Sequence, residues 1–507
     1  MFTLLSRVLG LLRDVRGASL FGAGPEWDAF VFAWMLPNLF RHLLGEGALS
    51  SAFVPVFSDY IVNKPKHEAW KLASVVATLL AVSLFSLVVV GELVSIPVEM
   101  LLSDTSLSLQ FILIRILFPY VALICFVAFL MGMLNSLNHF SAPAFAPVIL
   151  NIFWLAAVFF VIPFDSPKSH QVIVLAVMLL LGGVAQLLVQ LPPLWKKGVR
   201  LRPCFDFRHP GLKRVFVLIV PMLIGLAPMQ INVLLDNLIA RLMGEVGANS
   251  VFYYSNRLMQ FPLAVIGIAM GTAVFPILAR FSAAGQKTKI TAAISGALRL
   301  TLFMALPASV GLMVLCRPVI SLFFAHGSFD QAAVARTAYA LIFYAAGVWV
   351  FCSLQIITRY FYALKDSKTP VIVAGIMVGL NLGLNLALVG VMDAAGLALA
   401  TTVSQAANLA VLIWILHHRG ERLLSRSLLI CIAKVAAISI IMGVVCYAAL
   451  WMVESETAAR GMDGTLAGVL KVFVPIVVAL PTYLLASRLL KIKELGIIMS
   501  AFFKKEK

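Results

Sequence analysis

Apolar positions in this 507-residue chain come in long, nearly unbroken blocks. They do not form the one-sided stripe of a water-soluble surface helix. Fourteen blocks are legible, approximately 1–23, 27–61, 69–98, 107–136, 142–164, 170–193, 213–243, 247–280, 290–316, 331–363, 370–391, 394–417, 427–452 and 465–490. A hydrocarbon layer of about 30 Å is crossed by roughly 20 residues at 1.5 Å each, so the pattern predicts fourteen transmembrane helices. The longest blocks predict tilt, kinks or extension beyond the bilayer. The second contains Pro37 and the pair Gly45/Gly47 around Glu46, and the seventh contains Pro221 and Pro228. Helices broken at such points usually line cavities.

Composition agrees. Hydrophobic residues make up 62% of the chain, charged residues 12%, and the mean hydropathy is +1.02. A soluble fold of this length could not bury that much apolar surface. The net charge of +17 suggests nucleic acid until its distribution is read. Basic residues gather in alternate connections: Lys64/Lys66/Lys71, the run Lys196 to Arg214, Arg280/Lys287/Lys289, Lys365/Lys368, Arg419/Arg422/Arg426 and the tail Lys504/Lys505/Lys507. The connections between them are poor in Lys/Arg and often acidic, as at Glu99/Asp104, Glu245, Asp393 and Glu454/Glu456/Asp463. This is the positive-inside pattern of a multi-pass membrane protein, with both termini cytoplasmic and no nucleic-acid partner. The six cysteines are scattered without a CxxC and read as small buried hydrophobes. No cleavable signal peptide is evident.

The chain repeats itself. Ala48-Leu-Ser-Ser-Ala-Phe-Val-Pro55 matches Ala269-Met-Gly-Thr-Ala-Val-Phe-Pro276, Leu137-Asn-His-Phe-Ser-Ala-Pro143 matches Leu364-Lys-Asp-Ser-Lys-Thr-Pro370, and Lys197-Gly198 matches Arg419-Gly420. The offsets, 221, 227 and 222, are nearly one value. The expected organisation is an all-α membrane protein with an N-terminal six-helix lobe (1–194), a basic cytoplasmic linker (195–212) and a C-terminal six-helix lobe (213–418). Two appended helices (427–490) and a basic tail (491–507) follow. An even helix number gives the lobes the same orientation, related by a pseudo-twofold axis along the membrane normal. That is a transporter architecture with its substrate between the lobes.

Arginines inside the membrane blocks carry the chemistry. Each costs roughly 2.5–3.5 kcal/mol at mid-helix and survives where it meets a wet cavity or an anion. Arg7, Arg13, Arg41 and Arg257 share a placement on the helices expected to line the cleft. Arg16, Arg115, Arg241, Arg299, Arg336 and Arg359 read equally well as snorkelling or paired side chains. No DxD, HExxH or P-loop is present, and no soluble domain is long enough to house an active site, so the chain does not read as an enzyme.

Ser6-Arg-Val-Leu-Gly-Leu-Leu-Arg-Asp14, Phe21-Gly-Ala-Gly24, Asp28-Ala-Phe30, Leu36-Pro-Asn-Leu-Phe-Arg41, Glu46-Gly-Ala48 and Ala52-Phe-Val-Pro55 resemble the MurJ (MviN) family. These are lipid II flippases of the multidrug/oligosaccharidyl-lipid/polysaccharide exporter superfamily. Tyr253-Tyr254, Arg257-Leu-Met-Gln-Phe-Pro262 and Gly267-Ile-Ala-Met-Gly271 agree. The resemblance implies a role in peptidoglycan biosynthesis and cell shape. The implied substrate is lipid II, an undecaprenyl-diphosphate-linked disaccharide pentapeptide, moved from the cytoplasmic to the periplasmic leaflet by alternating access. It places Arg7, Arg13, Arg41 and Arg257 at the family's cavity arginines, and Asp28, Asn38 and Glu46 at other polar positions of its cleft. Guanidinium groups suit a diphosphate because they bind its oxygens in pairs and stay charged in a partly dry cavity. Asp28 and Glu46 serve equally as counter-charges to an arginine before lipid binds.

Asp236, with Asn381, Asn385 and Thr401, resembles a sodium site of some family members, where a second carboxylate stands at the position of Asn385. The same residues read as an interhelical hydrogen-bond cluster. No cofactor is expected beyond sodium as a coupling ion. The implied partners are lipid II, membrane lipids and other cell-wall synthesis proteins, and the two appended helices would form a groove for the polyprenyl tail. Export of another polyprenyl-diphosphate oligosaccharide, or of a drug, is the alternative on the same scaffold; four arginines argue against a cationic drug. Both the repeat and the resemblance call for about ten further residues ahead of Met1 to complete a membrane-length first helix, so Met1 is expected to be internal to a longer natural frame or the chain truncated.

Overall fold

The computed structural model describes residues 2–102, 107–162, 165–421, 423, 425–462 and 464–503. Its ordered elements are helices, with no strand among the described residues. In chain order they are α1 (Phe2–Phe21), α2 (Pro25–Phe40), α3 (Ser50–Asn63), α4 (Lys66–Leu102), α5 (Ser108–Ser136), α6 (Ser141–Ala156), α7 (Lys168–Lys196), α8 (Pro210–Leu242), α9 (Ala248–Pro262) and α10 (Ala269–Ala283). Then come α11 (Lys287–Phe324), α12 (Gln331–Ala363), α13 (Lys368–His418), α14 (Arg426–Ala459), α15 (Thr465–Leu489) and α16 (Lys493–Phe503). Three π-helical segments join or extend them: Arg41–Leu49 between α2 and α3, Ala157–Val161 after α6, and Leu263–Ile268 between α9 and α10.

Among the described residues, eleven helices are long and apolar enough to cross a membrane. The difference from fourteen has a physical origin. α1 carries Arg7, Arg13, Asp14 and Arg16, and the stretch from α2 to α3 carries Glu26, Asp28, Arg41 and Asp59, which dilute their hydropathy. The blocks expected at 370–391 and 394–417 run as one 51-residue element, α13, through Asp393. There φ 51° and ψ −138° break the helix, so α13 is two helices meeting at one residue. The protein is an all-α, multi-pass membrane protein. Beyond the last expected crossing, α16 adds a short helix within the basic tail.

The chain divides into two compact units, residues 1–241 with 245–250, and residues 242–244 with 251–507. By contacts α8 groups with the first unit, whereas the repeat assigns it to the second lobe. Its links there lie mainly near its two ends. Gly211 sits under Tyr60 and Leu72, Arg214 pairs with Asp59 at 2.8 Å, and Arg241 Nε donates to Gln110 at 2.6 Å.

In the first unit α5 is central, packed by α2, α4 and α7, while α6 lies between α7 and α1. An aromatic column of Phe21, Trp27, Phe30, Trp34 and Tyr120 fills the space between α2 and α5. Small residues let the helices approach: a Cβ at Gly183 would come within 2.7 Å of the Tyr120 ring. Tyr120 donates to Gln186 Oε1 (3.1 Å), and Gln186 donates to the Ala146 carbonyl (2.8 Å), which ties α5, α7 and α6 together.

In the second unit α11, α12 and α13 are successive neighbours, and the α14–α15 pair packs on α11. There Tyr483 donates to the Phe303 carbonyl at 2.6 Å, and Gly443 admits Val310.

The repeat reappears in local backbone geometry. α7 ends at Gly198 (φ 81°) and α13 at Gly420 (φ 83°), each followed by an amide bonded back to the carbonyl of Leu194 or Leu416. Left-handed φ there suits glycine and closes the last helical turn. The matched pair Asn138 (φ 56°) and Lys365 (φ 60°) ends α5 and α12 in the same way. The π segments at Arg41–Leu49 and Leu263–Ile268 also stand one repeat apart.

Candidate substrate site

Arg13 sits on the inner side of α1, which packs on α6. Its Nε and Nη2 donate to Asp14 Oδ1 at 3.1 and 2.9 Å, and its Nη1 donates to Asn151 Oδ1 at 3.3 Å. Asn151 in turn donates to the Ser6 carbonyl at 3.1 Å. Asp14 is buried and Arg13 half-buried. The result is a guanidinium fixed by a neighbouring carboxylate and by α6. Holding an arginine in this way lowers the entropy lost when it meets an anion. Arg7 is exposed six residues earlier, about 9 Å along the helix and about 120° around it.

Arg41 stands where α2 passes into its π segment. Its Nε donates to Asn38 Oδ1 at 3.3 Å and its Nη2 lies 3.2 Å from His42 Nε2. Asn38 therefore serves Arg41 in this conformation. π-helical turns bring an extra residue into the coil and frequently occur at functional sites. Glu46 falls in the same segment, and its side chain lies outside the described residues.

Asp28 is placed differently. Fully buried in the first turn of α2, it accepts from Gly247 N–H at 2.6 Å, Ser250 N–H at 2.8 Å and Ser250 Oγ at 2.5 Å. Its carboxylate caps the start of α9, whose first amides have no partner within the helix. Arg257 lies on α9 in the second unit and is exposed.

The polar set expected to bind sodium divides between the units. Asp236 is buried on α8 and accepts from Asn232 at 3.0 Å. In the second unit Asn385 donates to Asn381 Oδ1 at 2.8 Å, and Asn381 donates to Thr401 and Ser404, both at 3.4 Å. Asn381 and Asn385 are fully buried. Among the described residues no group of three or more His, Cys, Asp or Glu is placed to hold a metal ion.

Sequence reasoning missed Asp14, Asn151, Ser250 and Ser404. Asp14 adjoins Arg13, and Ser404 lies three residues from Thr401 on the same helical face, so both were within reach. Asn151 and Ser250 act across 138 and 222 residues, and no local pattern announces them.

A family model described as lipid II flippase MurJ matches residues 17–462. The chain belongs to this family. It is 37% identical over 431 residues to the lipid II flippase MurJ of Burkholderia cenocepacia, covering 83% of this chain and 82% of that protein. With the probable lipid II flippase MurJ of Vibrio cholerae it shares 34% over 467 residues, covering 89% and 87%. Among solved structures, a lipid II flippase MurJ in an inward closed conformation matches with a TM-score of 0.76 at 25% identity, covering 96% of this chain and 98% of that one. An inward-facing multidrug MATE transporter of the MOP superfamily shares the fold, with a TM-score of 0.66 at 16% identity over 81% and 94% of the chains. The family consists of lipid flippases, transporters and not enzymes. Arg41 and Arg257 fall within the matched residues, and Arg7 and Arg13 precede them.

Proposed function

We propose that this protein carries lipid II from the cytoplasmic to the periplasmic leaflet of the bacterial inner membrane by alternating access, for cell-wall synthesis. Arg7, Arg13, Arg41 and Arg257 bind the diphosphate. The arrangement of Arg13 supports this most directly: a guanidinium oriented by Asp14 and Asn151 inside a membrane helix is prepared for a phosphate group. Asn38 orients Arg41, Asp28 holds the start of α9, and Glu46 serves as a polar residue of the same cleft. The lobes follow the repeat, with residues 1–194 and 213–418 in the same orientation, and both termini are cytoplasmic.

The test is complementation of a flippase-depletion strain, scored by exposure of lipid II at the periplasmic face. Alanine at any one of the four arginines should abolish or severely reduce exposure while the protein stays in the membrane. Lysine should rescue only in part, because the paired donor geometry is lost. Normal growth with alanine at three of the four, at native expression, would place the site elsewhere.

A coupling role for sodium is the finer proposal. The side-chain oxygens of Asn381, Asn385, Thr401 and Ser404 suit a hard monovalent cation, and Asp236 supplies a carboxylate to the same process. Wild-type protein should melt higher in sodium than in a large organic cation, and Asn385→Asp should steepen that dependence. Equal melting in both salts for the wild type rules the role out. Interaction with other cell-wall synthesis proteins belongs to the same reading.

A further inference from the structure

Within the first unit, α3 and the start of α8 enclose an open-sided cavity of about 420 Å³. Its walls are apolar, formed by Pro55, Val56, Val217 and Leu218, and its cations are Lys213 and Arg214. Among the described residues no carboxylate lines it. Arg214 is held at its edge by Asp59 at 2.8 Å, which leaves the exposed Lys213 ammonium to meet an incoming anion. From the cavity an apolar track continues along α8, where Val217, Val220 and Ile224 are 63%, 52% and 59% exposed.

The loop leading into this site has the composition and the setting of a membrane-surface segment. Residues 197–209 lie against α4: the amides of Arg202 and Cys204 donate to Ser74 and Thr78, and Asp206 pairs with Lys71 at 2.8 Å. α4 spans 37 residues, roughly 55 Å, and so outreaches a hydrocarbon layer of about 30 Å. Its first turns carry the docked basic loop, which hydrocarbon would exclude, so the headgroup level falls at this end. The end of α7 and this loop present Trp195, Phe205 and Phe207 outward among Lys196, Lys197, Arg200, Arg202 and Arg208, the aromatic and basic mixture of a membrane interface.

We propose that this cavity binds an anionic phospholipid of the leaflet facing the basic loops, with its phosphate on Lys213 and an acyl chain along Val217, Val220 and Ile224. The cavity's described lining includes none of the arginines assigned to the transported lipid, and the proposal rests on the membrane setting alone, not on transport. A cation and an apolar track in one small cavity select a molecule that is anionic at one end and greasy at the other. Neither a free phosphate nor a neutral lipid satisfies both.

The full chain in neutral detergent is titrated with phosphatidylglycerol, phosphatidylcholine or inorganic phosphate and read by melting temperature and native mass spectrometry. Phosphatidylglycerol should raise the melting temperature and remain bound, and the other two should not. Lys213→Gln, a surface change, should weaken binding about fivefold, the weight of one cation at an anionic surface. Val217→Trp, which fills the cavity and leaves the charges in place, should weaken it at least as much. Wild-type affinity in both variants would overturn the site. Stabilisation by inorganic phosphate equal to that by phosphatidylglycerol would overturn the lipid in favour of a simple anion. Because the readout is binding, it stands or falls independently of any flipping assay.

Discussion

The side chains around Arg13 show how a costly residue is made usable. An arginine in a membrane helix is tolerated when its charge is met. Asp14 and Asn151 engage its three nitrogens and fix its plane for the diphosphate-binding role proposed above. Asp14→Asn should therefore lower lipid II exposure while leaving the protein folded. A double-mutant cycle with Arg13→Gln should give a coupling of about 1–2 kcal/mol in stability, and additive effects would mean the pair is incidental. Asp28 has a different task. Asp28→Ala would strand the Gly247 and Ser250 amides and should cost about 2–4 kcal/mol, visible as a lowered melting temperature. In the loop before α13, burial pushes the Asp366 carboxyl up, but bonds from Thr369 and Arg419 outweigh it and hold the group below its ordinary value. A carboxyl lowered in this way contributes stability above its unfolded value, near 4, and loses it as pH falls through the lower folded value. The protection of the Thr369 amide relative to the intrinsic exchange rate should thus hold down to about pH 4 and fall below it. A fall already at pH 6 would contradict that assignment.

At the scale of elements, most of the fold was readable because a bilayer imposes length. Blocks of twenty or more apolar residues have few alternatives to crossing helices, and the observed α4 to α7 fall on the predicted blocks. Even the break inside α13 was legible, since Asp393 interrupts an otherwise apolar run. The π segments were not. Pro37, Gly45 and Gly47 announced an irregularity near Arg41, but nothing in their spacing tells a π turn from a simple kink. The candidate site was half legible for a related reason. Charged residues in apolar blocks stand out one by one, whereas their partners are ordinary polar residues brought in by packing, as Asn151 and Ser250 are. The hairpin at Asp393 offers a sharp test. A Cβ on Gly396 would lie 2.8 Å from the Leu388 carbonyl oxygen, and backbone cannot step aside as a flexible side chain would. Gly396→Ala should cost about 1–3 kcal/mol and loosen the junction of the two halves of α13. Unchanged melting would show that the hairpin has room to spare.

Across the whole molecule, charge sets orientation. Basic loops and acidic connections alternate along the chain, and the membrane potential and insertion machinery read that asymmetry. Single cysteines introduced near Lys197 and near Glu456 should be labelled by an impermeant reagent from opposite sides of the membrane. Labelling of both from the periplasm would refute the proposed topology. The doubled turns at Gly198 and Gly420, and at Asn138 and Lys365, show that the two halves of the sequence share a folding grammar although few of their residues coincide. Position-by-position identity was a weak guide to that kinship, because turn geometry survives substitution wherever another residue tolerates the same φ.

α8 behaves mechanically as a beam held near its ends. None of residues 216–229 is buried, and the main anchors are at Gly211 and Arg214 on one side and at Arg241 on the other. Pro221 and Pro228 each remove a hydrogen bond from that lightly supported span and so lower its bending stiffness. Sideways deflection of the span moves side chains that are at most half-buried, and it meets the first unit's core mainly where Ile219 and Met222 pack against it. A load applied to either end would therefore be absorbed here first, as curvature, before it reached the close-packed helices on either side.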